Sequence, residues 1–168
     1  MPDTRLAVDT NFLLDLACRR DEALDALEVI RRRLRGARIF VTPTAFKELV
    51  NIAVNHPALK QRDDAHKALA GMRAWGMLPV ELTDLQATFA RSIATKLLDQ
   101  GVIPLEERND ALIFAEAAML ECQLLVSSDS HLRDADRTRL ALALQACGAP
   151  VVVVCRPDEI VRMFAGRR

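Results

Sequence analysis

Aromatic residues are scarce in this sequence, which has no tyrosine, one tryptophan and six phenylalanines. So few rings provide no row of faces for stacking bases, and any nucleic acid would have to be read through shape and backbone. Net charge is missing too, because 23 basic side chains are matched by 23 acidic ones, and the chain as a whole has no polyanion-attracting field. No uninterrupted apolar run approaches the roughly 18 residues that a membrane span requires, so no membrane role is expected. The opening stretch MPDTRLAVD carries acids and lacks the basic, apolar and small-residue progression of a secretory leader. Cys18, Cys122, Cys147 and Cys155 form no C-x-x-C pair. They read as reduced core residues of a cytoplasmic protein, with Cys155 as the candidate for reactivity. Also absent are the phosphate loops G-x-x-x-x-G-K-[ST] and G-x-G-x-x-G, and the G-x-S-x-G elbow that would make VSSDS a serine nucleophile.

What remains is a chain of 168 residues, 51% hydrophobic, which is enough to fill the core of a single domain over residues 1–168. Gly, Pro and Asp punctuation divides it into alternating strand-like and helix-like pieces. A strand at Leu6–Val8 precedes a short helix. Asp21 then reads as the N-cap of a second helix, with Leu24, Leu27, Ile30 and Leu34 at helical spacing until Gly36. RIFVT is a second strand, after which Thr42 caps and Pro43 starts a helix that stops before Pro57. Ala58 to Ala74 form an amphipathic helix. MLPVELT is a weaker strand suited to an edge by Pro79, and Thr83 with Gln86 has capping-box spacing ahead of a helix ending at Gly101. A helix runs from after Pro104 to about Cys122, LLVSSD is a buried strand, and a mostly helical stretch continues to Gly148. PVVVVC and PDEIVRMF close the chain as strand and helix. Five strands alternating with helices imply a three-layer α/β/α sandwich around a central parallel sheet.

In such sheets ligands bind beyond the carboxyl ends of the strands. Asp9 follows the first strand, and Asp129 ends LLVSSD. Each taken singly is explained by helix capping. Glu48, about one turn into the helix after the second strand, and Asp110, early in the helix ERNDALIFAEAA, can reach the same rim. Singly they read as an exposed helix carboxylate and a helix-dipole acid. Four carboxylates at one rim would repel one another and raise each other's pKa unless a cation sat among them. Oxygen-only ligands suit Mg²⁺ or Mn²⁺, and a pair of such ions hydrolyses phosphodiesters.

The order D-x-N after the first strand, Glu48 after the second, NDALI with Asp110 and VSSD with Asp129 resembles the PIN-domain family. That family comprises metal-dependent nucleases, many of them toxins of bacterial VapBC toxin–antitoxin pairs. The resemblance runs from Leu6 to about Leu132. It implies that Asp9, Glu48, Asp110 and Asp129 are catalytic and hold Mg²⁺ or Mn²⁺, two ions in the active state, with Asn11 and Ser127 supporting them. It further implies RNA as the substrate, cut to a 3′-hydroxyl and a 5′-phosphate, a cognate antitoxin protein that blocks the acidic groove, and a homodimer. The exposed helix pair after Glu48 is the surface offered for that dimer. Leu132 stands where the family commonly has an aromatic residue.

His131, two residues after Asp129, is a further candidate for touching metal or phosphate, against a plain loop histidine. His56 and His66 read as solvated, and Asp134 and Asp136 as caps of the following helix, against a role as outer acids of the cluster. The arginines from Arg31 to Arg38 read as a solvated face, or as a guide for an RNA backbone if they lie beside the rim. Two other classes compete: a non-catalytic RNA- or partner-binding module of the same fold, and a phosphatase with Asp9 as phosphoryl acceptor. The second expects D-x-D where this chain has Asn11.

Overall fold

The computed structural model describes residues 4–129, 132 and 135–165. Its elements in chain order are β1 (Arg5–Val8), α1 (Thr10–Ala17), α2 (Asp21–Arg33), β2 (Arg38–Val41), α3 (Pro43–Asn55), α4 (Leu59–Gly71), β3 (Met77–Pro79), α5 (Asp84–Asp99), α6 (Arg108–Met119), β4 (Leu124–Val126), α7 (Arg137–Ala146), β5 (Val153–Cys155) and α8 (Pro157–Ala165). The five strands form one parallel sheet in the order β3-β2-β1-β4-β5. Leu6 pairs with Ile39 on one side and Leu124 on the other, and Val8 with Val41 and Val126. Leu6, Ala7 and Val8 are all fully buried, because helices cover both faces of the central strand; that is why β1 is continuously apolar from Leu6 to Val8 instead of alternating.

Local chemistry explains most of the boundaries. Thr42 accepts the Ala45 N–H to cap α3 behind Pro43, and Thr83 with Gln86 forms a complete capping box on α5. Pro79 sits on the edge strand β3, where its missing N–H costs no ladder bond. Other boundaries differ from the sequence expectation. Asp21 is the first residue of α2, and the capping position belongs to Arg20. Helix α4 stops at Gly71, short of Ala74, where the chain turns through Gly76 at φ +68° with the Met77 N–H on the Met72 carbonyl; the Trp75 ring packs onto Gly71 so closely that a Cβ there would stand 2.6 Å from it. Helix α6 starts only at Arg108, since the chain after Pro104 first makes a turn closed by the Glu107 N–H on the Pro104 carbonyl. Strands β4 and β5 are three residues each, so Ser127 and Asp129 lie in a loop beyond β4. Of the cysteines expected in the core, Cys122 and Cys155 are buried, Cys147 is half-buried and Cys18 is exposed, all as free thiols. Among the described residues no helix is long and apolar enough to cross a membrane.

The arginine run lies at the wrong end of the sheet for guiding a substrate to the acids. Helix α2 descends to the amino end of β2, where the Arg38 N–H meets the Thr4 carbonyl and Arg31 donates to the Ala74 carbonyl just ahead of β3. Asp9 leaves β1 at the opposite end.

Candidate active site

The strand order reverses between β1 and β4, so the crevice beyond their carboxyl ends is the topological switch point of the sheet. Asp9 enters it directly from β1. Its Oδ1 accepts the Phe12 N–H at 2.7 Å, capping α1, and its Oδ2 accepts the Ser127 hydroxyl. The helix-cap role and the rim position thus belong to the same side chain, which is only 2% exposed. Ser127, also buried, accepts the Asp129 N–H at 3.0 Å on the same oxygen. This turn ends the strand and aims Asp129 at α1, where the Asn11 amide donates to its Oδ2 at 2.7 Å.

Helices α3 and α6 bring the other two acids. Glu48 accepts the Thr10 hydroxyl at 2.6 Å and the Asn109 amide at 3.4 Å. Asp110, half-buried in the first turn of α6, has an Oδ2 that is shielded from solvent and has no hydrogen-bond partner. Asp9, Glu48, Asp110 and Asp129 all line one cavity of about 330 Å³. Burial pushes the Asp9 carboxyl up to about 7 despite the lowering hydrogen bonds from Ser127 and Phe12, and the charges of Asp129 and Asp15 push the same way. Asp110 is likewise pushed up to about 7, first by burial and then by the charges of Asp129, Asp9, Glu107 and Glu48.

A desolvated, all-oxygen donor set with an orphaned carboxylate oxygen fits a hard divalent cation. Among the described residues no three His, Cys, Asp or Glu side chains are gathered closely enough to hold an ion jointly. Each ion would therefore rest on one or two carboxylates and water, the usual manner of Mg²⁺.

Three residues escaped the sequence reading. Thr10 orients Glu48, and Asn109 touches the same carboxylate; both neighbour predicted acids, which was the available signal. Glu116 is a buried carboxylate on α6 bound to Thr44, signalled only by a lone acid in the apolar run FAEAA. Asp136 caps α7 through the Thr138 and Arg139 N–H groups, as expected. His66 is exposed and His56 half-buried, its Nδ1 accepting the Ala58 N–H. His131 and Asp134 lie outside the described residues. A larger cleft of about 800 Å³ lies beside Ser128 and the start of α8. Its arginines are already engaged, Arg20 with Asp15 at 3.0 Å and Arg156 with Asp158 at 3.2 Å, and it collects none of the four acids.

A parallel sheet with a carboxylate-lined cavity at its switch point places the chain among the α/β proteins whose site lies beyond the carboxyl ends of the strands. The family model of the PIN domain matches residues 6–138, and the chain belongs to that family. Among the solved structures that share the fold are three VapBC proteins. They are VapBC2 from Rickettsia felis bound to a DNA fragment from its promoter (14% identity, TM-score 0.62), VapBC-5 of a toxin–antitoxin system from Mycobacterium tuberculosis (20%, 0.54), and DNA-bound VapBC from Salmonella typhimurium (14%, 0.57). The alignments cover 91%, 91% and 92% of this chain respectively, and 98% of each matched chain. No curated protein matches the sequence.

Proposed function

We propose that this PIN-domain protein is a divalent-metal-dependent endoribonuclease and the toxin half of a VapBC-type pair. The observation that carries the reading is the convergence of Asp9, Glu48, Asp110 and Asp129 on one cavity, with Asp9 and Asp110 both pushed up to about 7. Asp9 and Asp129 would anchor Mg²⁺ or Mn²⁺, with Glu48 and Asp110 completing the site. When bound, such an ion lowers the pKa of water and stabilises the leaving oxygen of a phosphodiester. The chain's own groups do the positioning. Ser127 and the Phe12 N–H hold Asp9, Asn11 holds Asp129, and Thr10 holds Glu48. The phosphatase alternative asks for a second acid two residues after Asp9, yet that position is Asn11, whose amide is spent on Asp129.

Two exposed cations border the cavity. Arg108 lines it directly, and Lys47 lines an adjoining hollow that shares Glu48 and Asn109 with it. They take the place of the arginine run as partners for the RNA backbone. Replacing both by Gln is expected to raise KM and to lower the slope of log kcat/KM against log salt by about 0.7 for each phosphate no longer neutralised. The same substitutions at Arg31 and Arg33 are expected to change neither. Equal effects from the two pairs would place the RNA elsewhere.

The VapBC resemblance supports a protein antitoxin, and an extended or helical segment laid over the acidic cavity would block it. The helix pair α3 and α4, where Val54 and Leu59 on either side of the connecting turn are 61% and 69% exposed, is the surface offered for a homodimer. The function is tested by incubating structured and single-stranded RNAs with the purified chain in Mn²⁺, Mg²⁺ or chelator, and by mapping the new ends. Metal-dependent internal cuts leaving 3′-hydroxyl and 5′-phosphate ends are expected. RNA binding without cleavage in either metal would favour the non-catalytic module.

A further inference from the structure

Glu116 is 6% exposed, and both its carboxylate oxygens are spent on one residue of another helix. Its Oε1 accepts the Thr44 hydroxyl at 2.7 Å, and its Oε2 accepts the Thr44 N–H at 3.0 Å. The first turn of α3 explains why a partner is needed there. Pro43 has no N–H to offer, the Ala45 N–H goes to the Thr42 hydroxyl, and the Phe46 N–H goes to the Thr42 carbonyl. The Thr44 N–H is left over, and α6 meets it with a carboxylate. A charged acceptor at a helix N-terminus is favoured by the helix dipole and makes a stronger bond than a neutral one.

The same helix pair carries two of the four acids. Thr44 and Glu48 stand four residues apart on one face of α3, and Asn109 and Glu116 stand seven apart on one face of α6. Two rungs therefore join the helices. One is the buried, charged Glu116–Thr44 pair, and the other is the longer Asn109–Glu48 contact at 3.4 Å beside the cavity. The Thr10 hydroxyl, next to Asp9, lies 3.5 Å from the Ala45 carbonyl and donates to Glu48 at 2.6 Å. A shift of the α3 N-terminus along α6 would thus carry Glu48 away from both Thr10 and Asp110.

We infer that Glu116 is a positioning residue: by clamping Thr44 it fixes the register of α3 against α6 and so holds Glu48 in the acid cavity opposite Asp110. The inference rests on the reading of that cavity as a metal-dependent site. It is tested in the full chain with Glu116→Ala, Glu116→Gln and Thr44→Val, reading the midpoint of Mn²⁺-induced thermal stabilisation alongside kcat and KM on RNA. Glu116→Ala is expected to weaken the Mn²⁺ midpoint and lower kcat by about ten- to a hundredfold, the usual cost of removing a group that orients a metal ligand, with KM changed less than twofold. Glu116→Gln, which keeps one acceptor for Thr44, should recover most of both. Thr44→Val, which keeps the N–H and loses the hydroxyl, should fall between. A lower melting temperature with an unchanged Mn²⁺ midpoint and kcat would make Glu116 a packing residue only and overturn the inference. If Glu116→Ala does not fold, wild-type values in both Glu116→Gln and Thr44→Val overturn it equally. A wild-type chain that does not respond to Mn²⁺ would instead sink the metal reading itself.

Discussion

Asp9→Asn is expected to lower metal-dependent RNA cleavage by about a hundred- to a thousandfold, the scale set by removing one preorganised electrostatic contact from an active site. The same change is expected to raise the melting temperature of the metal-free protein at pH 8. The two effects have one cause. Asp9 is buried with its pKa pushed up to about 7, so at pH 8 the folded chain holds a carboxylate that would be better solvated unfolded. Asparagine has the same shape, and its carbonyl oxygen still accepts the Phe12 N–H that caps α1. Its amide can donate to Ser127 in place of accepting from it. The fold therefore keeps the cap on α1 and a contact with Ser127, whose own proton gives up its acceptor, and sheds a poorly solvated charge, whereas a divalent ion would lose its anchor. A gel assay with Mn²⁺ and a thermal melt in chelator check the two halves separately. Wild-type cleavage by the variant would remove Asp9 from the chemistry. Lost cleavage with a lower melting temperature would make Asp9 an ordinary helix cap.

The placement of the acids was legible because each stands at a boundary with its own signal. Asp9 and Asp129 follow β-favouring apolar runs, and Glu48 and Asp110 fall in the early turns of helices whose starts are marked by proline or by charge. A parallel sheet then dictates that all four project from the same rim. The end of β4 was not legible. VSSD reads as strand, yet the Ser127 hydroxyl takes the Asp129 N–H and donates to Asp9, so a side chain competes with the ladder and turns the chain out of the sheet. The arginine run shows a different limit. Its charge is plain in the sequence, but whether it sits at the acid end depends on the direction in which α2 crosses the sheet. Glu116 was missed for a third reason: helical periodicity marks a lone acid in an apolar run as anomalous without naming its partner, and Thr44 lies 72 residues away.

Metal-free protein is expected to lose stability as pH rises from about 4 through about 7, and a divalent cation is expected to reverse that trend. Asp9 and Asp110 both have folded pKa values of about 7 against 3.8 for the free side chain. Between those values the folded state holds protons that the unfolded state has released. Their contribution to stability is therefore fully present below about 4, falls across the window and is gone above 7. Asp110 is less buried than Asp9, and solvent screening discounts its share. Together the two amount to a few kcal/mol, or roughly 5–10 °C in melting temperature for a chain of this size. Asp64 and Glu159 work in the opposite sense. Against the opposing effect of burial, the Cys18 hydrogen bond and then the lysines beside Asp64, and Arg137 beside Glu159, hold these carboxyls below their usual range. The stability they add is present above the ordinary carboxylate pKa and is lost only as pH falls through their lowered values, so the acid limb lies below the window of Asp9 and Asp110. On the proposed reading Mn²⁺ would bind the ionised cavity and compete with the two protons, which would make its stabilisation larger at pH 8 than at pH 5. Thermal melts at both pH values, in chelator and in excess Mn²⁺, should show the chelator melting temperature falling between pH 5 and 8 and the gap between the two conditions widening. In Asp9→Asn the chelator slope should shrink and the gap should close. A chelator melting temperature that climbs toward pH 8, with no response to Mn²⁺, would mean that the acids are already well solvated in the folded chain and that the cavity holds no ion.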